Sequence, residues 1–307
     1  MVTSDRMPEA VRIRLLGGFK VCVGQRRIGE GEWRLRKARV LLTLLALAPG
    51  HRMHREQAME RLWPGLSPEA AANNLHHALH VARRTLEPTA PANAASRYLT
   101  LRGDVLALCP NGLLWVDVEA FEHAAATARR SGEPAAYRAA VELYVGDLLP
   151  EDIYEPWAEE KRGQLRRSYH ALLSEHARLH EEREEYGLAI EALRRVVADE
   201  PTLVESHAGL MRLYVLAGQR HEAILQYERL RRILLEEFEE EPDVEIRNLY
   251  EEIRAGNFPA APSPSAESPS RDPQYPSPGN LSAPLTSFVG KEEAARLQGG
   301  ALLVARL

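Results

Sequence analysis

The sequence predicts a mainly α-helical chain in two parts, a mixed α+β domain followed by an all-α array. Three observations lead to this prediction. Apolar and polar residues alternate over residues 11–28, which is typical of strands, and a helical period follows. From Val116 to about Ala255 the helical period continues almost without a break. Within this second part, residues 34 positions apart match, which is the period of tetratricopeptide helix pairs.

The composition excludes several classes of protein. The chain has 307 residues, of which 45% are hydrophobic and 27% charged, so we expect about two globular domains. Its two cysteines, Cys22 and Cys109, cannot build a disulfide framework. No apolar run is long enough to span a membrane, and residues 1–9 do not resemble a signal peptide. We therefore expect a cytoplasmic protein without a membrane partner.

The charges are distributed unevenly along the chain. Residues 1–115 carry 17 Lys and Arg against 9 Asp and Glu, a balance of +8. Residues 116–257 carry 18 against 31, a balance of −13, and residues 258–307 carry 4 against 4. A basic front half predicts a polyanionic partner there.

The elements of the first part follow the order of a winged helix-turn-helix. Strands around a Gly17-Gly18 turn precede helices predicted over Arg34–Leu47 and His54–Trp63. A third helix runs from the N-cap Ser67 to about Leu86. A hairpin over residues 98–108, with Arg102-Gly103-Asp104 at its tip, forms the wing.

The second part is predicted to be an array of about three helix pairs. Ala189-Ile190 is followed 34 residues later by Ala223-Ile224, and small residues are needed where paired helices approach closely. A Pro- and Ser-rich stretch after residue 257 is a predicted linker. The expected boundaries are a flexible N-terminus (1–10), the winged helix (11–115), the array (116–257), the linker (258–284) and a short C-terminal segment (285–307).

The third helix is the candidate DNA-recognition helix. On a helical wheel its apolar residues form one stripe, and the opposite side offers amide, imidazole and guanidinium groups, which suit base edges and phosphates. An ordinary solvated face is the alternative. The cations at residues 34–39 predict a partner anion, either DNA phosphate or an acidic surface, and a simply solvated cluster is the alternative. The candidate DNA-binding residues are Asn73, Asn74, His76, His77, His80, Arg83, Arg84, Arg97, Arg102, Arg36 and Lys37.

Two of these arginines have distinct expected roles. Arg84 is predicted to read a guanine edge, and Arg102 to contact a phosphate without sequence preference. The three histidines are predicted to take up protons when they meet DNA, so that affinity rises as the pH falls.

No pattern predicts catalysis, a metal or a cofactor. The pairs His76/His80 and His176/His180 have the i, i+4 spacing of metal ligands but lack an evident third ligand. Gly290-Lys291 resembles the end of a phosphate-binding loop, but Glu292 replaces the required Ser or Thr. We therefore expect that the protein is not an enzyme.

The chain resembles a known family in an ordered set of segments. LLGGFKV, RKARVLLTLLAL, LWPG, AANNLHHALHVARRTLE and SRYLTL are similar to the DNA-binding half of activators of the Streptomyces antibiotic regulatory protein type. LWVDVEAFE, LYVGDLLPED, YEPWAEEKR and LYEEI resemble the bacterial transcriptional activator domain that follows it. The resemblance implies activation at promoter DNA and contact with RNA polymerase. The family often has arginine at the position of His76, so the sequence preference of this chain is expected to differ.

Two alternative interpretations of the protein's function remain open beside a DNA-binding activator. NLSAPLTSFVGKEE resembles the beginning of the NTPase module of longer family members, and the chain is expected to lack that module's ATPase activity. A tetratricopeptide adaptor or the regulatory front end of a signalling ATPase are the alternatives to a DNA-binding activator. In the primary reading the array mediates a homodimer or binds other proteins.

Overall fold

A computed structural model describes residues 9–91, 94–152 and 155–257 of the chain. Seven strands are present in this part: β1 (Val11–Arg14), β2 (Lys20–Val23), β3 (Arg26–Ile28), β4 (Arg52–His54), β5 (Leu99–Arg102), β6 (Val105–Leu108) and β7 (Leu114–Val116). Ten α-helices accompany them: α1 (Arg36–Leu47), α2 (Arg55–Leu62), α3 (Pro68–Leu86), α4 (Asp117–Ser131), α5 (Pro134–Leu143), α6 (Pro156–Glu181), α7 (Tyr186–Asp199), α8 (Val204–Leu216), α9 (Arg220–Phe238) and α10 (Val244–Ala255).

The mainly α-helical fold class with a winged helix followed by an all-helical array is confirmed. Helix α1 begins at Arg36, two residues later than predicted, and α2 is shorter than predicted by one residue at each end. Helix α1 is almost entirely buried, because its apolar residues occupy several sides of the helix rather than one stripe.

Two small sheets hold the N-terminal part together. One has the strand order β3-β2-β1-β7 and the other the order β4-β6-β5. Strands β4 and β7 were not predicted, because three-residue strands are too short to show an alternating pattern. Strand β7 runs parallel to β1, and such a pairing needs a long crossover, which here is the whole winged helix.

The array consists of helix pairs, as the repeat predicts. Helix α6 packs against α7, and α8 against α9, so the 34-residue offset relates one pair to the next. Ala189 and Ala223, which the offset matches, are both fully buried. A methyl group at Gly209 of α8 would lie 2.7 Å from Cδ1 of Leu193 in α7, so a larger residue at this helix contact would have to displace the leucine side chain.

The winged helix and the array form one compact unit. The loop at residues 145–152 lies alongside the end of β1: the Gly17 amide donates to the Asp147 carbonyl, and the Leu149 amide donates to the Leu15 carbonyl, both at 2.9 Å. Gly17 has a φ of +72°, which favours glycine, and an added Cβ would lie only 3.1 Å from the Val145 side chain. The predicted boundary at residues 115/116 falls inside β7.

Some predicted segments lie outside the described residues. These are the first eight residues, the linker (258–284) and the segment 285–307. In the described part, no helix combines the length and apolar character that crossing a membrane requires.

Candidate nucleic-acid interface

Helix α3 begins with the cap that its sequence predicts. The Ser67 hydroxyl accepts a hydrogen bond from the Ala70 amide at 3.3 Å, and Pro68 occupies the first helical position. The predicted apolar stripe is buried throughout, and its members are Ala71, Leu75, Ala78, Leu79, Ala82 and Leu86. Burial of this stripe against α1 and α2 fixes the rotation of α3 about its own axis.

The opposite side of α3 is exposed and carries no carboxylate between residues 73 and 84. We call this surface the polar face of α3. All three of its histidines are exposed, so their imidazoles are accessible to a ligand. Its members are Asn73, Asn74, His76, His77, His80 and Arg84.

Arg83 does not belong to the polar face. It is half-buried, and its Nε donates to the carbonyl of Leu99 in β5 at 2.9 Å. Burial is the main reason that the pKa of Arg83 is lowered, and the charge of Glu87 opposes this effect. Arg83 therefore connects α3 to the wing. The sequence had suggested a contact with phosphate for this residue.

The wing presents Arg102 to solvent beside an acid that is already paired. Arg102 is exposed at the end of β5, next to the tight turn at Gly103. The Asp104 carboxylate lies 3.0 Å from Nε of Arg55, and the Asp104 carbonyl accepts the Arg55 amide at 2.8 Å. Arg55 thus compensates the one negative charge of the tip and ties the wing to α2, a role that the sequence pattern did not reveal.

Arg97 lies beside an acid at the end of α3. Its backbone amide donates to the Glu87 carboxylate, and its side chain is 3.9 Å from the same group. This carboxylate reduces the positive potential that Arg97 offers to an anion.

Arg36 contacts the array. Its guanidinium lies 3.0 Å from Asp152 and 2.9 Å from Glu155, and Arg39 lies 2.6 Å from the other Asp152 oxygen. Lys37, the next residue, is half-buried. The sequence left open whether this cluster meets DNA phosphate or an acidic surface. In the structure, Arg36 and Arg39 contact an acidic surface of the same chain.

The histidine pairs differ in their surroundings. His76 and His80 are exposed, whereas Nε2 of His176 lies 2.9 Å from Nε2 of His180, whose Nδ1 is 2.6 Å from Glu185. Burial, together with the charges of His180 and two arginines, lowers the pKa of His176 to about 4. In the described ranges, no three His, Cys, Asp or Glu side chains gather as metal ligands.

The helical array matches a known protein family. Residues 116–254 match the family model of the bacterial transcriptional activator domain. No curated protein matches the chain. A solved structure of EmbR from Mycobacterium tuberculosis, in complex with a low-affinity phosphopeptide, is similar with a TM-score of 0.62 at 18% identity. The similarity covers 81% of this chain and 66% of that chain, and at this identity it shows the fold.

Fold and surface together define a class, a winged helix joined to a bacterial transcriptional activator domain. The resemblance inferred from the sequence is confirmed for residues 116–254, which match the bacterial transcriptional activator domain, and the fold of the described chain agrees with it.

Proposed function

We propose that this regulator binds duplex promoter DNA through the polar face of α3 and the wing, and activates transcription by contacting RNA polymerase. The observation that carries the proposal is the polar face itself. Six exposed amide, imidazole and guanidinium side chains stand together on one helix without an intervening carboxylate. Such a helix fits the major groove, because its side chains match base-edge donors and acceptors and no like charge repels the phosphates.

The two asparagines at the start of this face are the best candidates for base reading. Asn73 and Asn74 lie in the first two turns of α3, and recognition helices contact bases mainly through their N-terminal residues. An asparagine amide can bond both N6 and N7 of adenine, which makes adenine the expected base. Arg102 on the wing is the expected phosphate contact.

The array supplies a surface for protein contacts. Leu235, Phe238 and Val244 are each at least half exposed, and they lie within a strongly acidic run of the sequence. Exposed apolar side chains of this size favour a protein partner. RNA polymerase and a second copy of the chain are the proposed partners, and the proposed location is the cytoplasm.

The test is a binding titration of the full chain with its own upstream DNA and with random duplex of equal length. We expect affinity for both to fall with salt, and the upstream DNA to be bound more tightly. Asn73→Ala should reduce the preference by relaxing it at one base, whereas Gln25→Ala, which removes an exposed amide on the turn before β3, should leave it unchanged. Absence of salt-sensitive binding contradicts the proposal and favours the adaptor reading.

The remaining partners need separate measurements. Sedimentation velocity measures whether the chain is a dimer, and transcription reconstituted with purified polymerase measures activation. Calorimetry with millimolar ATP tests the alternative of an ATPase front end, which requires measurable heat of nucleotide binding.

A further inference from the structure

An open cavity of about 520 Å³ lies beside the C-terminal half of α3. One wall is the loop before α1, with Gly31, Glu32 and Arg34, and the other is α3, with His80 and Arg84. Three potential donors therefore reach one cavity from two separate segments. Two of them, His80 and Arg84, belong to the polar face, whereas the sequence singled out Arg34 only as a member of the cationic cluster at residues 34–39.

The cavity has a positive charge that its own acid does not cancel. Glu32 is the one acid among the lining residues, and its carboxylate lies 3.0 Å from Arg26 and accepts the Gly29 amide at 2.8 Å. In the described part of the chain, the guanidinium of Arg34 makes no ion pair or hydrogen bond. Its charge is therefore available to a ligand.

Two further contacts favour an anion in this place. Nη1 of Arg84 donates to the Ala90 carbonyl at 2.8 Å, which restricts the side chain and leaves its other N–H groups to a ligand. Nη2 of Arg26 donates to the carbonyls of Thr85 and Leu86 at 2.8 and 2.9 Å. These carbonyls are the negative end of the α3 dipole, and Arg26 satisfies both of them as hydrogen-bond acceptors.

We propose that this cavity holds one phosphate group of the DNA backbone, clamped between Arg34 and Arg84, with His80 as a further hydrogen-bond donor. The inference rests on the proposed function. It gives the two halves of α3 different tasks: Asn73 and Asn74 meet base edges, and the C-terminal half fixes the helix on the duplex. Arg84 then contacts phosphate and does not read a guanine, contrary to the expectation from the sequence.

The test compares Arg34→Ala with Arg27→Ala in DNA binding by the full chain. Arg27 is an exposed arginine on β3, outside the cavity, so the two variants change the net charge equally. We expect Arg34→Ala to weaken binding about tenfold, as loss of a charge-assisted hydrogen bond would, and by the same factor on upstream and random duplex. Arg27→Ala should bind as the wild type does. Equal effects of the two variants overturn the proposed clamp.

The double variant Arg34→Ala/Arg84→Ala tests whether the two arginines share a phosphate. If they do, the slope of log affinity against log salt falls by about one unit in total, because one phosphate is lost. A fall of about two units shows two independent contacts and overturns the clamp. Loss of base preference in Arg84→Ala alone likewise overturns it and supports guanine reading.

A calorimetric titration with inorganic phosphate at constant ionic strength separates the two sources of a phosphate group. We expect no saturable binding at millimolar phosphate, since one phosphate without the rest of the interface gains few contacts. If wild type binds phosphate saturably and Arg34→Ala abolishes this binding, the cavity belongs to a free phosphate-bearing ligand and the DNA assignment is overturned.

Failure of the clamp can be distinguished from failure of the proposed function. If the wild type binds no DNA at all, the proposed function fails. If it binds DNA and Arg34→Ala matches Arg27→Ala, the clamp alone fails.

Discussion

The backbone amide of Leu15 lies 2.9 Å from each carboxylate oxygen of Asp117, and these two residues join the winged helix to the array. Asp117 is the first residue of α4, and its side chain is buried. The Leu16 amide donates to the same carboxylate at 2.9 Å. Both amides follow β1, beyond its last paired residue, so the carboxylate satisfies donors that would otherwise be buried without partners.

Asp117→Asn is expected to destabilise the whole unit. The asparagine keeps one acceptor oxygen, but the Leu15 amide is equally close to both carboxylate positions, so in either orientation the new NH2 group faces this buried N–H donor. We expect a loss of about 1–3 kcal/mol in the free energy of unfolding. Urea denaturation measures this loss. Glu142→Gln, an exposed acid on α5, is the matched control, and an equal effect of both variants contradicts a joining role for Asp117.

The two arginines on Asp152 should differ in their contribution to stability. The Asp152 side chain is 3% exposed, Arg39 is 17% exposed and Arg36 is 60% exposed. Because water screens the Arg36 pair, Arg36→Ala should cost less than about 1 kcal/mol of unfolding free energy. Arg39→Ala should cost about 2 kcal/mol, since it removes the better shielded partner of a buried carboxylate. Urea denaturation measures both losses of unfolding free energy. A larger loss for Arg36→Ala than for Arg39→Ala would show that burial of the arginine does not determine its contribution.

The sequence predicted the local features of the interface better than its long-range contacts. The rotation of α3 followed from its apolar stripe, since each residue of that stripe had to face the core. The pairing of β7 with β1, the Asp117 bonds and the contact of Arg36 with Asp152 join residues about a hundred positions apart or more. No local period encodes such contacts. The hydrogen bond of Arg83 to Leu99 in the wing was not predicted, because Arg83 sits at the margin of the wheel, where small shifts in rotation decide whether a side chain faces the wing or solvent.

Asn73→Ala and Arg102→Ala should have different effects on DNA binding. Arg102 is exposed at the wing tip and is expected to meet phosphate, so Arg102→Ala should weaken binding to all sequences alike. The salt slope should fall by about one unit. Asn73→Ala should relax the preference at one base and cost about 1–3 kcal/mol on the specific site only. Parallel titrations on specific and random duplex measure the effects of both variants. Identical behaviour of the two variants would contradict the proposal that α3 reads bases.

The stability of the array should depend on pH through His176. The pKa of His176 is lowered from its ordinary value near 6.5 to about 4, so the folded state binds fewer protons than the unfolded state between these values. Its stabilising contribution is complete above about pH 6.5 and declines as the pH falls toward 4. Because the side chain is only half-buried, we expect a loss of about 1 kcal/mol rather than the full shift.

The measurement is the difference in unfolding free energy between wild type and His176→Gln, followed from about pH 7 to pH 4. His123→Gln, an exposed histidine on α4, serves as the control for the general effect of removing an imidazole. A difference that does not change with pH for His176→Gln would show that burial of this imidazole has no influence on stability.

The affinity for DNA should rise as the pH falls from about 8 to about 6, because imidazole ordinarily titrates in this range. His76, His77 and His80 are all exposed on the polar face of α3, so their side chains are accessible to DNA. A nearby polyanion favours the charged imidazole, and protons are therefore taken up when the complex forms.

Affinity for DNA, measured at fixed ionic strength from about pH 8 to about pH 6 for wild type and His80→Gln, tests this effect. His80→Gln should reduce the pH slope, since His80 lines the cavity beside Arg84. A flat profile for the wild type, or a slope that survives replacement of all three histidines, would contradict the prediction.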